Sequence, residues 1–108
     1  MATGYYKLKS AAKFTFTLNA ANHEVILASQ GYEEKASALN GIESVRKHGT
    51  LEGNFDRRTS AAGEPYFVLK ASNGQIIGTS EMYSSEAARD NGIASVGNNC
   101  LSMEVKEV

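Results

Sequence analysis

The 108-residue chain has one cysteine, one proline and no tryptophan. A lone cysteine, Cys100, forbids an internal disulfide and fits a reducing compartment. Apolar stretches are only a few residues long, far short of the roughly 20 that a membrane-spanning helix needs. The start, Met1-Ala2-Thr3-Gly4-Tyr5-Tyr6-Lys7, has no apolar run after a basic segment, so no signal peptide is read. The expectation is a soluble cytoplasmic protein without a membrane partner. An excess of charge is also missing. Eleven basic residues face 12 acidic ones, for a net charge of −1. Such a chain has no bulk attraction to nucleic acid or to an anionic membrane.

Catalytic patterns are scarce too. The two histidines, His23 and His48, and Cys100 show no zinc-ligand spacing. There is no glycine-rich phosphate loop and no G-x-S-x-G elbow. The carboxylates are dispersed, with no pair to assign as acid and base. No catalytic, metal-binding or cofactor-binding residue is therefore assigned, and no cofactor is expected. Cys100 reads as structural, because nothing adjacent would lower its pKa.

What the chain does have is a copy of itself. Shifted by 51 residues, Phe16, Leu18, Ala20, Asn22, Ile26, Ser29 and Tyr32 fall on Phe67, Leu69, Ala71, Asn73, Ile77, Ser80 and Tyr83. Ala36, Asn40, Gly41, Ile42, Ser44 and Val45 fall on Ala87, Asn91, Gly92, Ile93, Ser95 and Val96. Chance would leave about two matches, so the chain is a duplication. Each copy is too small to bury much surface alone, and the two should share one core. The organisation expected is a single domain over 1–108, with repeats of about 4–53 and 54–108.

Phe14-Thr15-Phe16-Thr17-Leu18 alternates with period two, as a half-buried strand does. Ala20-Ala21-Asn22-His23 breaks the pattern, and Glu24–Ser29 resumes it. In the second copy Tyr66–Lys70 and Ile76–Thr79 flank Asn73-Gly74, a strong hairpin signal in which both turn residues would take positive φ. A helix follows each hairpin. Ser84 and Ser85 can cap the second, while Glu33 and Glu34 favour the first by charge. Ala36, Ile42 and Val45 share a helix side, as do Ala87, Ile93 and Val96. Gly41 and Gly92 lie inside these helices at a cost of about 1 kcal/mol each. Their recurrence points to close helix–sheet packing. Tyr5–Lys9, Asn54–Thr59 and Leu101–Val108 also read as extended. The segment around Asp56 ends one unit and begins the next.

The run Asn54–Tyr83, with Gly92-Ile93-Ala94-Ser95-Val96 and the matching Ala20–Leu27 and Gly41–Val45, resembles the YegP family of small uncharacterised bacterial proteins. The resemblance covers nearly the whole chain. It implies an α+β fold of tandem β-β-β-α-β repeats sharing one antiparallel sheet. Both helices would lie on one face, with the C-terminal strands exchanged between repeats. It brings no activity, cofactor or catalytic residue.

The duplicated polar residues carry no carboxylate, amine, thiol or imidazole, so they read as structural. Asn22 and Asn73 suit the turns, and Tyr32 and Tyr83 should pack on the sheet with their hydroxyls near water. Function is then expected where the copies differ. The helix-free face should carry Thr15, Thr17 and Ile26 in one copy and Tyr66, Val68 and Ile77 in the other. Tyr66 and Val68 are more apolar than a wet face requires, which suggests a partner surface. Arg46-Lys47-His48 and Arg57-Arg58 are the remaining candidates. On a strand, Arg57 and Arg58 must point to opposite faces. The favoured reading is a small non-catalytic binding module with a protein partner, acting as a monomeric internal pseudo-dimer or a weak homodimer. A nucleic-acid-associated accessory protein comes second, although nucleic acid is disfavoured as a partner, and an enzyme comes last.

Overall fold

The computed structural model describes residues 4–108. Three strands come first: β1 (Tyr5–Ser10), β2 (Phe14–Asn19) and β3 (Val25–Ala28), followed by helix α1 (Lys35–His48). After a single 3-10 turn at Glu52–Asn54, β4 (Phe55–Thr59), β5 (Pro65–Lys70), β6 (Ile76–Thr79) and α2 (Glu86–Asn99) repeat the series. Strand β7 (Val105–Glu107) closes it and is shorter than its sequence signal. The strands form one sheet in the order β4-β5-β6-β3-β2-β1-β7. This is the expected α+β fold.

β3 and β6 meet antiparallel at Ala28 and Thr79, residues that are equivalent under the 51-residue shift. The pseudo-twofold axis passes between them. α1 carries the chain from the centre of the sheet to one edge, where β4 pairs with β5. α2 carries it to the opposite edge, where β7 pairs with β1. The terminal strands are thus exchanged. One detail departs from expectation: β7 runs parallel to β1, so the sheet is mixed. The long crossover through α2 makes parallel pairing feasible.

The shift itself slips at the first strands. Tyr6 pairs with Leu18, whereas Phe55 pairs with Leu69. Leu18 and Leu69 are equivalent, so Phe55 matches Tyr6, two residues short of the 51-residue offset. A longer β4–β5 turn absorbs the difference. Tyr6 and Phe55 then make the same edge-to-face contact, 6.2 Å from Phe16 and 5.5 Å from Phe67.

The Asn hairpins also differ from the two-residue form. The His23 amide donates to the Ala20 carbonyl at 2.9 Å, and the Ala20 amide donates to the Glu24 carbonyl at 2.9 Å. In each of these two turns a single residue takes positive φ, His23 (φ 72) and Gly74 (φ 84). This is a type I turn closed by a bulge. Asn22 and Asn73 brace it by accepting from the amides of Glu24 and Gln75, both at 3.1 Å. A second bulge, within the strands opposite Leu18–Asn19 and Leu69–Lys70, leaves Ile26 and Ile77 as extra residues on the helix side, and both join the core. The expected place of these two residues is thereby corrected.

The core lies between the sheet and the helices. Phe16, Leu18, Phe67 and Leu69 face Ile42, Val45, Ile93 and Val96. Ala36 and Ala87 are exposed, contrary to expectation, and Ala38 is the buried alanine of the first turns. The Ser85 hydroxyl accepts from the Ala88 amide at 3.0 Å and caps α2, while α1 starts at Glu34 without a side-chain cap. The mid-helix glycines have a specific cause. Tyr32 stacks on Phe16 at 6.3 Å, and Tyr83 stacks on Phe67 at 6.2 Å. A Cβ on Gly41 would meet the Tyr32 Oη at 2.7 Å and the Phe16 Cε2 at 2.8 Å. One on Gly92 would meet the Tyr83 Cζ at 2.6 Å.

Where equivalent positions approach each other near the pseudo-axis, the repeats had to differ. Leu27 is fully buried, and its equivalent is Gly78. A Cβ on Gly78 would lie 2.7 Å from the Leu27 Cγ. At the helix ends, Gly49 is equivalent to Cys100, and a Cβ on Gly49 would lie 2.9 Å from the Cys100 Sγ. Two copies of one side chain cannot occupy one volume, so one repeat yields to the other.

Candidate functional site

Of the residues singled out by sequence, Tyr66, Val68 and Arg58 share one face, and the others do not join them. Tyr66 and Val68 stand opposite the helices, as expected, but Val68 is only 2% exposed and Tyr66 is half-buried. With Ile77 in the core, the expected apolar patch is largely gone. Arg58 bonds Asp56 at 2.9 Å on that face, and Lys70 reaches the same carboxylate at 3.5 Å. The Arg58 guanidinium, with Lys70, holds the Asp56 carboxyl below its usual range. Arg57 points the other way, to Glu52 at 2.7 Å and to Asp90 of α2 at 3.0 Å.

The helix-end cations are engaged inside the fold. The Arg46 Nε donates to the Ser102 carbonyl at 3.0 Å, its guanidinium lies 5.2 Å from the Tyr6 ring centroid, and it pairs with Glu43. His48 is buried rather than a solvated helix-end cation. Its Nδ1 lies 2.8 Å from the Ser44 carbonyl and its Nε2 lies 3.1 Å from the Ser72 hydroxyl. Facing a carbonyl, Nδ1 carries a proton and donates. His48 thus ties the end of α1 to the β5–β6 turn. Lys47 alone of this trio is exposed. His23 lies apart, with its Nδ1 2.8 Å from the Tyr5 hydroxyl. Cys100 is buried, and desolvation pushes its thiol pKa up. Among the described residues, no three His, Cys, Asp or Glu side chains gather as metal ligands would.

The duplicated polar residues, in contrast, do converge. Tyr83, Asn91 and Ser95 line a groove of about 420 Å³ between α2 and the β2–β3 hairpin of the other repeat. Tyr32, Asn40 and Ser44 line its counterpart of about 230 Å³ between α1 and the β5–β6 hairpin. Ile26 lines the first groove and Ile77 the second. Asn40 and Asn91 are exposed, and the fold does not need their amides for any hydrogen bond among the described residues. Burial raises the pKa of both tyrosine hydroxyls. Duplication was visible in the sequence, but strand exchange was needed to show that each groove joins the two repeats.

The grooves differ in charge. The first is lined by Glu24 and Glu81, and the second has Gln75 and Gln30 at the equivalent places. Both carboxylates add to the upward shift of the Tyr83 hydroxyl. One acidic residue comes from each repeat, and the fold brings them to the same groove.

A seven-stranded sheet carrying two equivalent helices and two equivalent grooves defines a tandem-repeat α+β protein. The family model described as a domain of unknown function, DUF1508, matches residues 9–56 and again 60–107. The chain belongs to this family. The UPF0339 protein of Mannheimia succiniciproducens is 52% identical over 110 residues, covering 100% of this chain and 97% of the relative. The UPF0339 protein YegP of Yersinia pestis is 48% identical, covering 100% and 98%. Two solution NMR structures share the fold. The UPF0339 protein of Shewanella oneidensis matches with a TM-score of 0.91 at 48% identity, covering 97% of this chain and 91% of that one. The protein of unknown function yegP from E. coli matches with a TM-score of 0.93 at 42% identity, covering 99% and 94%. No catalytic activity is indicated for the family by these relatives. Among the described residues, no helix is long and apolar enough to cross a membrane.

Proposed function

We propose that the protein is a small non-catalytic binding module. Its repeats, about 4–53 and 54–108, act as one domain, and its ligands enter the two equivalent grooves. The observation that carries this reading is the convergence of duplicated Tyr, Asn and Ser side chains on those grooves. Asn40 and Asn91 cost helix propensity and return no internal hydrogen bond, which suits a role toward a ligand. Among the described residues, no histidine, cysteine or lysine lines either groove to act beside the hydroxyls, so binding accounts for the residues better than catalysis. The second repeat stands in for a partner subunit, and the module works as a monomer. The buried free thiol of Cys100 supports a cytoplasmic setting.

The first groove takes a cationic group on an apolar stem. Glu24 and Glu81 supply charge, Asn91 and Tyr83 supply hydrogen bonds, and Ile26 and Met82 supply apolar contact. The second groove, with two glutamines, is its neutral counterpart. Titration of Nα-acetyl-lysine amide, whose ε-ammonium stays charged, followed by backbone amide NMR shifts, tests this. Shifts at Glu24, Asn91 and Gly92, with smaller ones at Asn40 and Gly41, are expected. In a Glu24→Gln, Glu81→Gln variant the shifts at Asn91 and Gly92 should fall to the size of those at Asn40 and Gly41, which should not change. Equal shifts in both grooves, or none in either, would refute the reading.

A further inference from the structure

We propose that the helix-free face of the sheet docks the phosphate backbone of double-stranded nucleic acid. The fold gathers cations there that the sequence scatters. Lys7 and Lys9 alternate with the core residues Tyr6 and Leu8, so they point away from the helices. Lys106 stands beside Lys7 in the β1–β7 register, and its ammonium lies 4.3 Å from the ring centroid of Tyr5 on the same face. Arg58 and Lys70 lie toward the other end of the sheet. Two carboxylates share the face: Asp56, held by Arg58 and Lys70, and Glu104, 3.8 Å from Lys106. Among the described residues, neither Lys7 nor Lys9 forms an ion pair.

A chain with a net charge of −1 thus presents a net positive face, and the negative excess sits in the turns and loops, at Glu24, Glu33, Glu34, Glu52, Glu64 and Glu81. Like charges side by side on neighbouring strands cost stability. Three adjacent lysines therefore call for an anionic ligand that offsets that cost. One cross-strand rung runs Lys106, Lys7, Thr17, Ala28, Thr79, Val68, Asp56, the last held by Arg58 and Lys70. The apolar side chains here, Val68 at 2% exposure and the half-buried Tyr66, are packed into the face rather than raised from it as the hot spot of a protein partner would be. Tyr5 is only 6% exposed and carries Lys106 over its ring, so it offers no stacking platform for single-stranded bases. A duplex backbone needs neither, since cations and hydroxyls suffice to hold phosphates.

Anisotropy of a labelled DNA duplex of about 20 bp, titrated across salt concentrations, tests the proposal independently of the grooves. Three lysines on phosphates predict a log–log salt slope of about −2.7, or roughly a 40-fold loss of affinity between 50 and 200 mM salt. The Lys7→Gln, Lys9→Gln, Lys106→Gln variant should lose at least about tenfold of that affinity without melting earlier. Lys47→Gln, on α1, should leave it unchanged, as should Glu24→Gln with Glu81→Gln. No binding by the wild type at 50 mM salt, or equal weakening by Lys47→Gln, overturns the proposal. So does competition by polyglutamate as effective as unlabelled duplex, which would mark an acidic protein as the partner.

Discussion

The Leu27–Gly78 pair offers a direct test of the pseudo-symmetry. Gly78→Leu adds a side chain whose Cβ already lies 2.7 Å from the Leu27 Cγ, 2.9 Å from its Cδ2 and 3.2 Å from the Ala28 carbonyl oxygen. Overpacking of this kind costs about 1–3 kcal/mol. Leu27→Gly empties a fully buried site. It should cost about 2–5 kcal/mol for the cavity and about 1 kcal/mol more for glycine in a strand. If the two positions are related by the pseudo-twofold axis, exchanging them restores the packing from the other side. The double variant should then come within about 2 kcal/mol of the wild type, although the single losses predict at least 4 kcal/mol by addition. Each kcal/mol moves the melting temperature of such a domain by about 4–8 °C, so calorimetry resolves the difference. Leu27→Ala with Gly78→Ala gives a gentler cycle if Leu27→Gly fails to fold. Losses that add in both cycles would refute the reasoning.

Gly41→Leu should lower the melting temperature despite its gain in helix propensity, because the added side chain meets the Tyr32 ring and Phe16. An unchanged melting temperature would remove that account of the glycine. Ser85→Ala should cost about 1 kcal/mol by denaturant titration, and Ser84→Ala should cost nothing measurable, because only Ser85 caps α2. The Tyr6 hydroxyl donates to the Cys100 carbonyl at 2.6 Å, and burial raises its pKa well above the ordinary 10. The neutral phenol is therefore favoured in the folded state. Its contribution to stability is complete below pH 10 and declines as pH rises above it. Tyr6→Phe should flatten that alkaline decline in a pH series of thermal melts, and an unchanged decline would assign it elsewhere.

The hairpins, the helices and the mid-helix glycines were legible because alternation, capping residues and self-similarity are local or pairwise signals. Ile26 and Ile77 were misplaced for a physical reason. A bulge inserts one residue and breaks the alternation, and the pairing puts that extra residue at Ile26 and at Ile77 themselves, where no turn residue marks it in the sequence. His48 was misread because its burial depends on Ser72, which the β5–β6 turn brings to it. Val68 read as an apolar surface residue, although its packed neighbours leave it almost no exposure.

By itself the sequence determined the duplication, the order of elements and the shared middle strand, since all three follow from its period and from patterns within a few residues. Only the tertiary structure decided which residues act together. Strand exchange joins the helix of one repeat to the hairpin of the other, bringing Glu24 and Glu81 to one groove. The β1–β7 pairing sets Lys106 beside Lys7. The pseudo-axis explains why Gly78 faces Leu27 and Gly49 faces Cys100, because equivalent side chains cannot share one space.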